Sequence, residues 1–541
     1  VGYKKFFKIL ALIVLTGLTI QFYLRRARGS RHPTFIQAIG IAPTSVNPFT
    51  LASPELQRAL SLSIETLAYR DPKTFQFAPL LASSWQLSKD QKSITIQIRP
   101  DVRWHDGQPL TIEDVAFSIK SVNDPAFHGL IWGAAYKDIS KIEPMGENRL
   151  RIHWHHVSYE NLTNLLHLRI LPKHIYTAKK KDQVYLSQVL IGSGPYRFEK
   201  IQKGRSLLFR RHLQWWGQNL PQFKGLYNFA RWQFLYVPNT HMVFPLIKKG
   251  ELHYYPVSDI SDPAWQRSSI KEMSSILKVT YTQKNADRVL NLFCNLRDPL
   301  LSSLTLRKAL NQLVPREEIN EKFFHGERSP ISSPWGRSAP FLPLSTPLWS
   351  FNQEAAYKNL TKDGWIKDPK MNFWIRQKDD KRQLLRLKVY YYQSHLEKVL
   401  TYLQEHWKQM GLDLSIQFVN SGSITKITRA AQFQLLAYEQ NTFAQILRAS
   451  YHSEGSYNTS GLNDEDVDLW LDKLKKTFSL EHRTELEKKV AAKILAAVPE
   501  VFILSEGQHF YFVHSSIQRP QAAWPFDVGL VSWSFGAASR N

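Results

Sequence analysis

Residues 84–120, SWQLSKDQKSITIQIRPDVRWHDGQPLTIEDVAFSIK, constrain the fold more than any other stretch of this chain. Ile94, Ile96 and Ile98 alternate with Thr95, Gln97 and Arg99, the period-two pattern of a strand with one buried face. Residues 88–93 form a polar turn, so 85–87 and 94–98 are expected to be the two arms of a hairpin. A second turn follows at His105-Asp106-Gly107, with Gly107 free to take a positive φ. Thr111 then caps a helix in a capping-box arrangement, its hydroxyl aimed at the amide of Asp114. Ile112, Val115, Ala116 and Ile119 follow at helical spacing and give that helix a buried face.

A chain of 541 residues is too long for one core and points to two or three lobes. With 43% apolar and 21% charged residues it is globular rather than disordered. The net charge of +24 could serve nucleic acid, an anionic membrane surface or an acidic ligand. No helix-turn-helix, zinc-finger spacing or RNA-binding aromatic motif accompanies it, so nucleic acid is not expected as a partner. The positives are spread along the chain, as on a solvated basic surface near anionic lipid. Cys294, the one cysteine, excludes an intramolecular disulfide or a cysteine-based zinc site, and its apolar setting reads as an inert buried thiol.

The first 31 residues hold Lys4, Lys5, Lys8, Arg25, Arg26, Arg28 and Arg31 and no acid. They flank an apolar run over residues 9–24. Counted from Phe6 to Leu24, a helix there would span roughly 28 Å at about 1.5 Å per residue, close to a bilayer core. No small-residue cleavage site follows, so an uncleaved signal anchor over residues 6–24 is expected, tethering an exported domain.

Several motifs together resemble the bacterial extracellular solute-binding proteins of family 5, the large peptide- and nickel-binding receptors that feed ABC importers. The signature begins at Leu81-Ala82-x-x-Trp85. It continues as Ile96-x-Ile98-Arg99-x-x-Val102-x-Trp104-His105-Asp106-Gly107-x-x-Leu110-Thr111-x-x-Asp114-Val115-x-x-Ser118. Other landmarks follow in the family's order. Val46-Asn47-Pro48 stands in the opening turn, and Glu65 to Tyr69 with Asp71-Pro72 precede the hairpin. Gly192-Ser193-Gly194-Pro195-Tyr196 and Trp215-Trp216-Gly217 come later, then Leu290 to Asn295, Leu306 to Asn311 and Arg316 to Ile319.

The resemblance implies an α/β, two-lobed periplasmic-binding-protein fold of the large three-domain class II type, with a ligand cleft between the lobes. The first lobe would combine residues 32–50, 190–284 and 505–541, the inserted subdomain residues 51–189, and the second lobe residues 285–504. It further implies a periplasmic, monomeric receptor that passes a peptide-like solute to an ABC permease and ATPase. A solute-sensing module of the same fold and an envelope hydrolase are the rival readings. The chain has no GxSxG, HExxH or glycine-rich dinucleotide turn, so neither catalysis nor a cofactor is expected.

Within the second lobe, residues 388–392, 394–410 and 412–419 read as strand, amphipathic helix and strand, a βαβ unit with parallel pairing. Peptide-binding members hold the ligand's amino terminus with an aspartate that follows a strand of the kind Phe433-Gln434-Leu435-Leu436-Ala437. This chain has no aspartate from residue 414 to residue 463. Glu439 is the candidate anion for an ammonium, with Tyr438 and Asn441 beside it as first ligand contacts. Asn458 and Asn47 come next, each divided between a cleft contact and a turn-forming role. His153 and His155 share one face of an expected strand at possible metal-ligand spacing, but no third ligand is identifiable nearby and no metal site is expected.

Overall fold

The computed structural model describes residues 33–49, 53–122, 124, 136–179, 182–257, 274–281, 288–335, 339, 341–342, 348–378, 381–441, 447–506, 509–520, 524 and 527–536. The expected anchor over residues 6–24 lies outside them, and no described helix is long and apolar enough to cross a membrane.

In chain order, β1 (Thr34–Ile39) is followed by an inserted unit made of β2 (Ala82–Leu87), β3 (Ser93–Ile98), α1 (Ile112–Ser121), β4 (Ile139–Pro144), β5 (Arg149–Trp154) and α2 (Tyr159–Leu166). Next come β6 (Tyr196–Gln202), β7 (Ser206–Arg211), β8 (Arg231–Tyr236), β9 (Tyr254–Pro256) and β10 (Ile276–Tyr281). The chain then builds β11 (Arg288–Cys294), α3 (Leu304–Gln312), α4 (Arg316–Phe324), β12 (Ser329–Pro330), β13 (Arg386–Tyr391), α5 (Glu397–Gln409) and β14 (Asp413–Phe418). It continues through α6 (Ser421–Arg429), β15 (Leu435–Asn441), α7 (Glu465–Lys476), α8 (Leu480–Ala497) and β16 (Glu500–Ser505), and β17 (His509–His514) follows.

Three main sheets result. One is seven-stranded in the order β10-β17-β9-β1-β8-β7-β6, one is six-stranded in the order β12-β16-β11-β15-β13-β14, and the insert's sheet runs β2-β3-β5-β4. The chain passes between the first two sheets twice, after β10 and after β16. Two joints between packed sheets are the connectivity of a two-lobed α/β protein.

The insert follows the local pattern. The isoleucines of β3 face inward against Leu150, Ile152 and Trp154 of β5 and against Ile112, Val115 and Ile119 of α1. The hairpin closes where the amide of Ser93 donates to Ser88 Oγ at 3.0 Å. The cap of α1 is the expected capping box: the Thr111 side chain faces the amide of Asp114, and the Asp114 carboxylate accepts from the Thr111 amide at 2.9 Å and from its hydroxyl at 3.3 Å. Asp114 also accepts from the indole of Trp104 and the amide of Lys173, which ties helix, turn and following segment together.

In the second lobe, β13, α5 and β14 form the expected parallel βαβ unit, and β15 adds in parallel to β13. β11 pairs antiparallel with both β15 and β16, so the sheet is mixed. Its core joins Leu290, Leu292, Leu387, Val389 and Leu435 to α3, α4 and α5 through Leu306, Ile319, Leu400 and Trp407. Cys294 is buried there, and burial pushes its thiol up to about 12.

The landmark motifs converge on the seam between the insert and the first lobe. The fully buried carboxylate of Glu65 accepts from Ser193 Oγ at 2.7 Å, Trp215 Nε1 at 3.0 Å and Trp216 Nε1 at 2.9 Å. Burial raises its pKa to about 7, against those three donors. His105 lies between two landmark glycines. Its amide donates to the carbonyl of Gly192 at 2.7 Å, its Nδ1 accepts from the amide of Gly192 at 3.3 Å, and its Nε2 donates to the carbonyl of Gly194 at 2.9 Å. That arrangement requires the neutral ring, because a proton on Nδ1 would face an N–H.

Burial, helped by His212 and Arg197, holds the His105 ring down to about 3. A depressed histidine contributes stability that is present above the ordinary value of 6.5 and is lost as pH falls from there toward 3. The expected result is a thermal midpoint that drops on acidification in the parent but less steeply in His105→Gln. NMR of the parent should show no titration of this ring between about pH 8 and 5. A ring titrating near 6.5 would contradict the assignment.

Candidate ligand-binding cleft

The carboxyl ends of parallel β13, β14 and β15 share one edge of the second sheet, and that edge also carries the start of β11 and the end of β16. Ligands of open α/β sheets bind outside such carboxyl ends. Residues 438–441 continue β15 beyond the strand core at 435–437. Gln393 holds them there: its Oε1 accepts from the Glu439 amide at 2.7 Å and its Nε2 donates to the Glu439 carbonyl at 3.4 Å.

Side chains along β15 alternate between the two faces of the sheet, so Tyr438 and Glu439 point apart. The Glu439 side chain is 1% exposed and is ion-paired with Arg328, itself 1% exposed. Arg288 Nε lies 3.3 Å from the same carboxylate and His395 Nε2 3.2 Å. Glu506 pairs with Arg288 at 3.5 Å and lies 3.9 Å from Arg328, whose guanidinium stacks on Phe324. Burial works against the Glu439 charge, but His395, Arg328 and Arg288 overcome it and hold the carboxyl at about 2. An incoming ammonium would have to compete with two guanidinium groups for this carboxylate.

Tyr438 occupies the opposite face, stacked on Phe293 of β11 at 4.7 Å and 6°. It floors a groove of about 770 Å³ between α6 and residues 455–459. Ser421, Ile424, Thr425, Thr428 and Arg429, one face of α6, form one wall, and Tyr457, Asn458 and Thr459 form the other. The structure therefore brings Tyr438 and Asn458 together. The Asn458 amide group is spent on its own loop, donating to the carbonyls of His452 and Leu462 and accepting from the Leu462 amide, so it shapes the wall it lines.

Asn47 lies elsewhere. It is 1% exposed, accepts from the Phe49 amide at 3.1 Å and donates to Gln183 at 3.4 Å, in the Asx turn that joins β1 to the insert. Asn441 ends β15, and its side chain lies outside the described residues. His153 does not meet His155: the strand ends at Trp154, and His153 Nε2 donates to Glu143 at 2.9 Å while His156 Nδ1 donates to Asp138 at 2.6 Å. Among the described residues no three metal-binding side chains cluster.

A cavity of about 830 Å³ at the seam of insert and first lobe is walled by Phe49, Ile64, Leu80 and Phe223. Two of its buried polar groups serve the seam: Glu65 carries the three donors described above, and Arg169 donates to the carbonyl of Gln57 at 2.6 Å. The groove on the second lobe is therefore the better candidate. Arg297 and Arg328 escaped the motif reading, because their partners Asn458 and Glu439 are distant in the chain. Gly461 was the one local signal, as the Cβ of any other residue there would strike the guanidinium of Arg297.

The two sides of the cleft also touch. Lys278 of β10 lies 3.3 Å from Glu327 in the second lobe. The guanidinium of Arg483 on α8 sits 3.8 Å above the ring of Tyr159 in the insert, with Phe478 at its edge.

Comparison with known proteins agrees with this architecture. The profile of the bacterial extracellular solute-binding proteins, family 5 Middle, matches residues 76–462. The chain is 26% identical over 317 residues to the peptidoglycan-binding protein YepA of Agrobacterium fabrum, covering 54% of this chain and 50% of that one. It thus spans about half the length of that relative. It is 23% identical to the probable peptide-binding protein YejA of the same organism, over 92% of this chain and 88% of that one. Among solved structures it superposes with TM-score 0.68 and 17% identity on the oligopeptide-binding protein AppA of Bacillus subtilis in complex with a nonapeptide, covering 93% of this chain and 99% of that chain.

Proposed function

Because the chain belongs to the bacterial extracellular solute-binding proteins of family 5, we propose that it captures a peptide-like solute between two hinged lobes and delivers it to an ABC permease and its ATPase. Members of this family are binding proteins, and the work assigned here is capture, closure and release without bond chemistry. The observation that carries the reading is the groove floored by Tyr438, which opens at the sheet edge where the chain passes twice between the lobes. The membership of strands in sheets supports the division into a first lobe (residues 32–50, 190–284 and 505–541), an insert (51–189) and a second lobe (285–504). Tyr438, Asn458 and the chain around Asn441 would contact the solute, Glu439 would set the shape of that edge from behind, and Asn47 would hold the insert to the first lobe.

Ligand selects the closed state only through contacts made there. The contacts of Tyr159 with Arg483 and of Lys278 with Glu327 are of the kind that closure makes and opening breaks. Membership of an extracellular family supports a periplasmic location, and the apolar run at residues 6–24 supports a tether to the inner membrane, to be tested by carbonate extraction.

The test of capture is mass spectrometry of small molecules released from the full chain purified from cells, followed by calorimetry with each compound found. The expected result is an intact peptide or peptide-bearing fragment that rebinds at one site and reduces the radius of gyration. A ligand recovered cleaved, or binding without any change in shape, would remove the receptor reading.

A further inference from the structure

The groove carries cations without the carboxylates that neutralise cations elsewhere in this protein. Arg288, Arg328, Arg386, Arg448 and Lys493 all lie in ion pairs. Arg297 and Arg429, on opposite walls of the groove, have no ion-pair partner among the described residues, and no Asp or Glu stands among its described lining residues. A shallower concavity of about 420 Å³ shares Arg297 and Ala431 with the groove and extends it to Lys388, which lies 4.7 Å above the ring of Tyr390 and likewise has no ion-pair partner among the described residues. Asp298, the carboxylate beside it, turns its Oδ1 to the amides of Leu300 and Leu301.

Arg297 is seated rather than loose. Its Nη2 donates to the carbonyl of Asn458 at 3.4 Å and its Nη1 to Asn295 Oδ1 at 3.5 Å. Asn295 is fixed in turn by donating to the carbonyls of Ala431 and Phe433. Beneath the guanidinium lies Gly461, at φ +70°, where an added Cβ would come within 2.3 Å of the guanidinium carbon. Both acceptors are neutral and long, so the group is held in place while its charge is left unbalanced.

The nine residues of α6 give the groove a length of roughly 13 Å at about 1.5 Å per residue, enough for about four residues of extended chain at about 3.3 Å each. One end lies at Tyr438 and Tyr392, near the sheet edge, and the other at Arg297, Arg429 and Ala431. Tyrosine rings and the hydroxyls of Ser421, Thr425, Thr428 and Thr459 line the length between them.

We infer that this groove selects an anionic solute, a peptide-like chain whose carboxylates are met by Arg297 and Arg429. The inference rests on the receptor reading above and narrows it to a substrate class. Guanidinium groups suit carboxylates because their paired N–H donors match the two oxygens. The strongly basic balance of the chain acts in the same direction over longer range, drawing acidic solutes toward the cleft.

The experiment is calorimetry of the full chain with matched tetrapeptides, both free and N-acetylated, ending in two glutamates, two glutamines or two lysines. The glutamate peptides should bind roughly tenfold more tightly than the glutamine peptides and the lysine peptides more weakly still, with the difference shrinking at high salt. Replacing Arg297→Gln together with Arg429→Gln should abolish the preference for the glutamate over the glutamine peptide. Both side chains are exposed, so the double variant should keep the parent melting curve. Equal affinity across the set, or a preference that survives the double replacement, overturns the inference and leaves the receptor reading standing. No binding by any member, with capture of a non-peptide solute instead, overturns both.

Discussion

Gly192→Ala is expected to lose much of this protein's stability. A Cβ at this position would lie 1.9 Å from the carbonyl oxygen of Ser63 and 2.6 Å from its carbon, far inside contact distance. The obstacle is backbone, and that backbone is pinned. The Ser63 carbonyl accepts from the amide of Gly194 at 2.9 Å, and the Leu62 carbonyl accepts from that of Tyr196 at 3.0 Å. Gly192 is pinned from its own side by both bonds to His105. Relief would require separating the insert from the first lobe where Glu65 holds its three donors. Overpacking by a flexible side chain costs about 1–3 kcal/mol, and a clash with fixed backbone should exceed that, at about 4 kcal/mol or more. Gly146→Ala and Gly204→Ala serve as controls: both glycines have positive φ with nothing within 4 Å of the added atom, so only backbone strain of about 1 kcal/mol is expected. Chemical denaturation of the three variants checks the ranking, and a Gly192→Ala variant as stable as the controls would show that this seam is looser than its geometry.

The seam also shows what a sequence can and cannot disclose. The hairpin of β2 and β3, the turn at Gly107 and the start of α1 follow from periodicity and capping, which act over a few residues, and each forms as expected. The βαβ unit of the second lobe was legible for the same reason. The resemblance supplied the lobes. It did not reveal that its landmarks, Glu65, His105, Gly192 to Tyr196 and Trp215-Trp216, meet at one junction, because Glu65 and Trp215 are 150 residues apart and no local pattern joins them. The signature of this chain is thus largely the chemistry of assembling insert and first lobe. The ligand wall carries less of it. At Glu439 the resemblance suggested an anion for a ligand's ammonium, whereas the fold places it on the buried face of β15 opposite Arg328, 111 residues away. The anchor expected over residues 6–24 lies outside the described residues.

Glu439→Ala is the second variant with a large expected effect, a loss of about 3–5 kcal/mol, because it takes the close counter-charge from the buried guanidinium of Arg328 and leaves it Glu506 at 3.9 Å. Arg328→Met should cost less, because Arg288 and His395 still face the Glu439 carboxylate. The double variant Glu439→Ala with Arg328→Met should cost clearly less than the sum, since neither charge is then left alone. For a lobe of this size the single losses correspond to a fall in thermal midpoint on the order of 10 °C. The sign of the pH dependence follows from the carboxyl held at about 2, below its ordinary 4.5. This stabilisation is complete above 4.5 and fades as pH falls toward 2, so the parent and Glu439→Ala should converge on strong acidification. Ligand binding separates two roles for the residue. If Glu439 met a ligand ammonium, Glu439→Gln would weaken free-amine peptides and spare their N-acetylated forms. If it organises the sheet edge through Arg328, Arg288 and His395, both forms should weaken equally, because what is lost is the position of Tyr438 and its neighbours. The buried ion pair favours the second outcome, and a loss confined to free-amine ligands would reverse it.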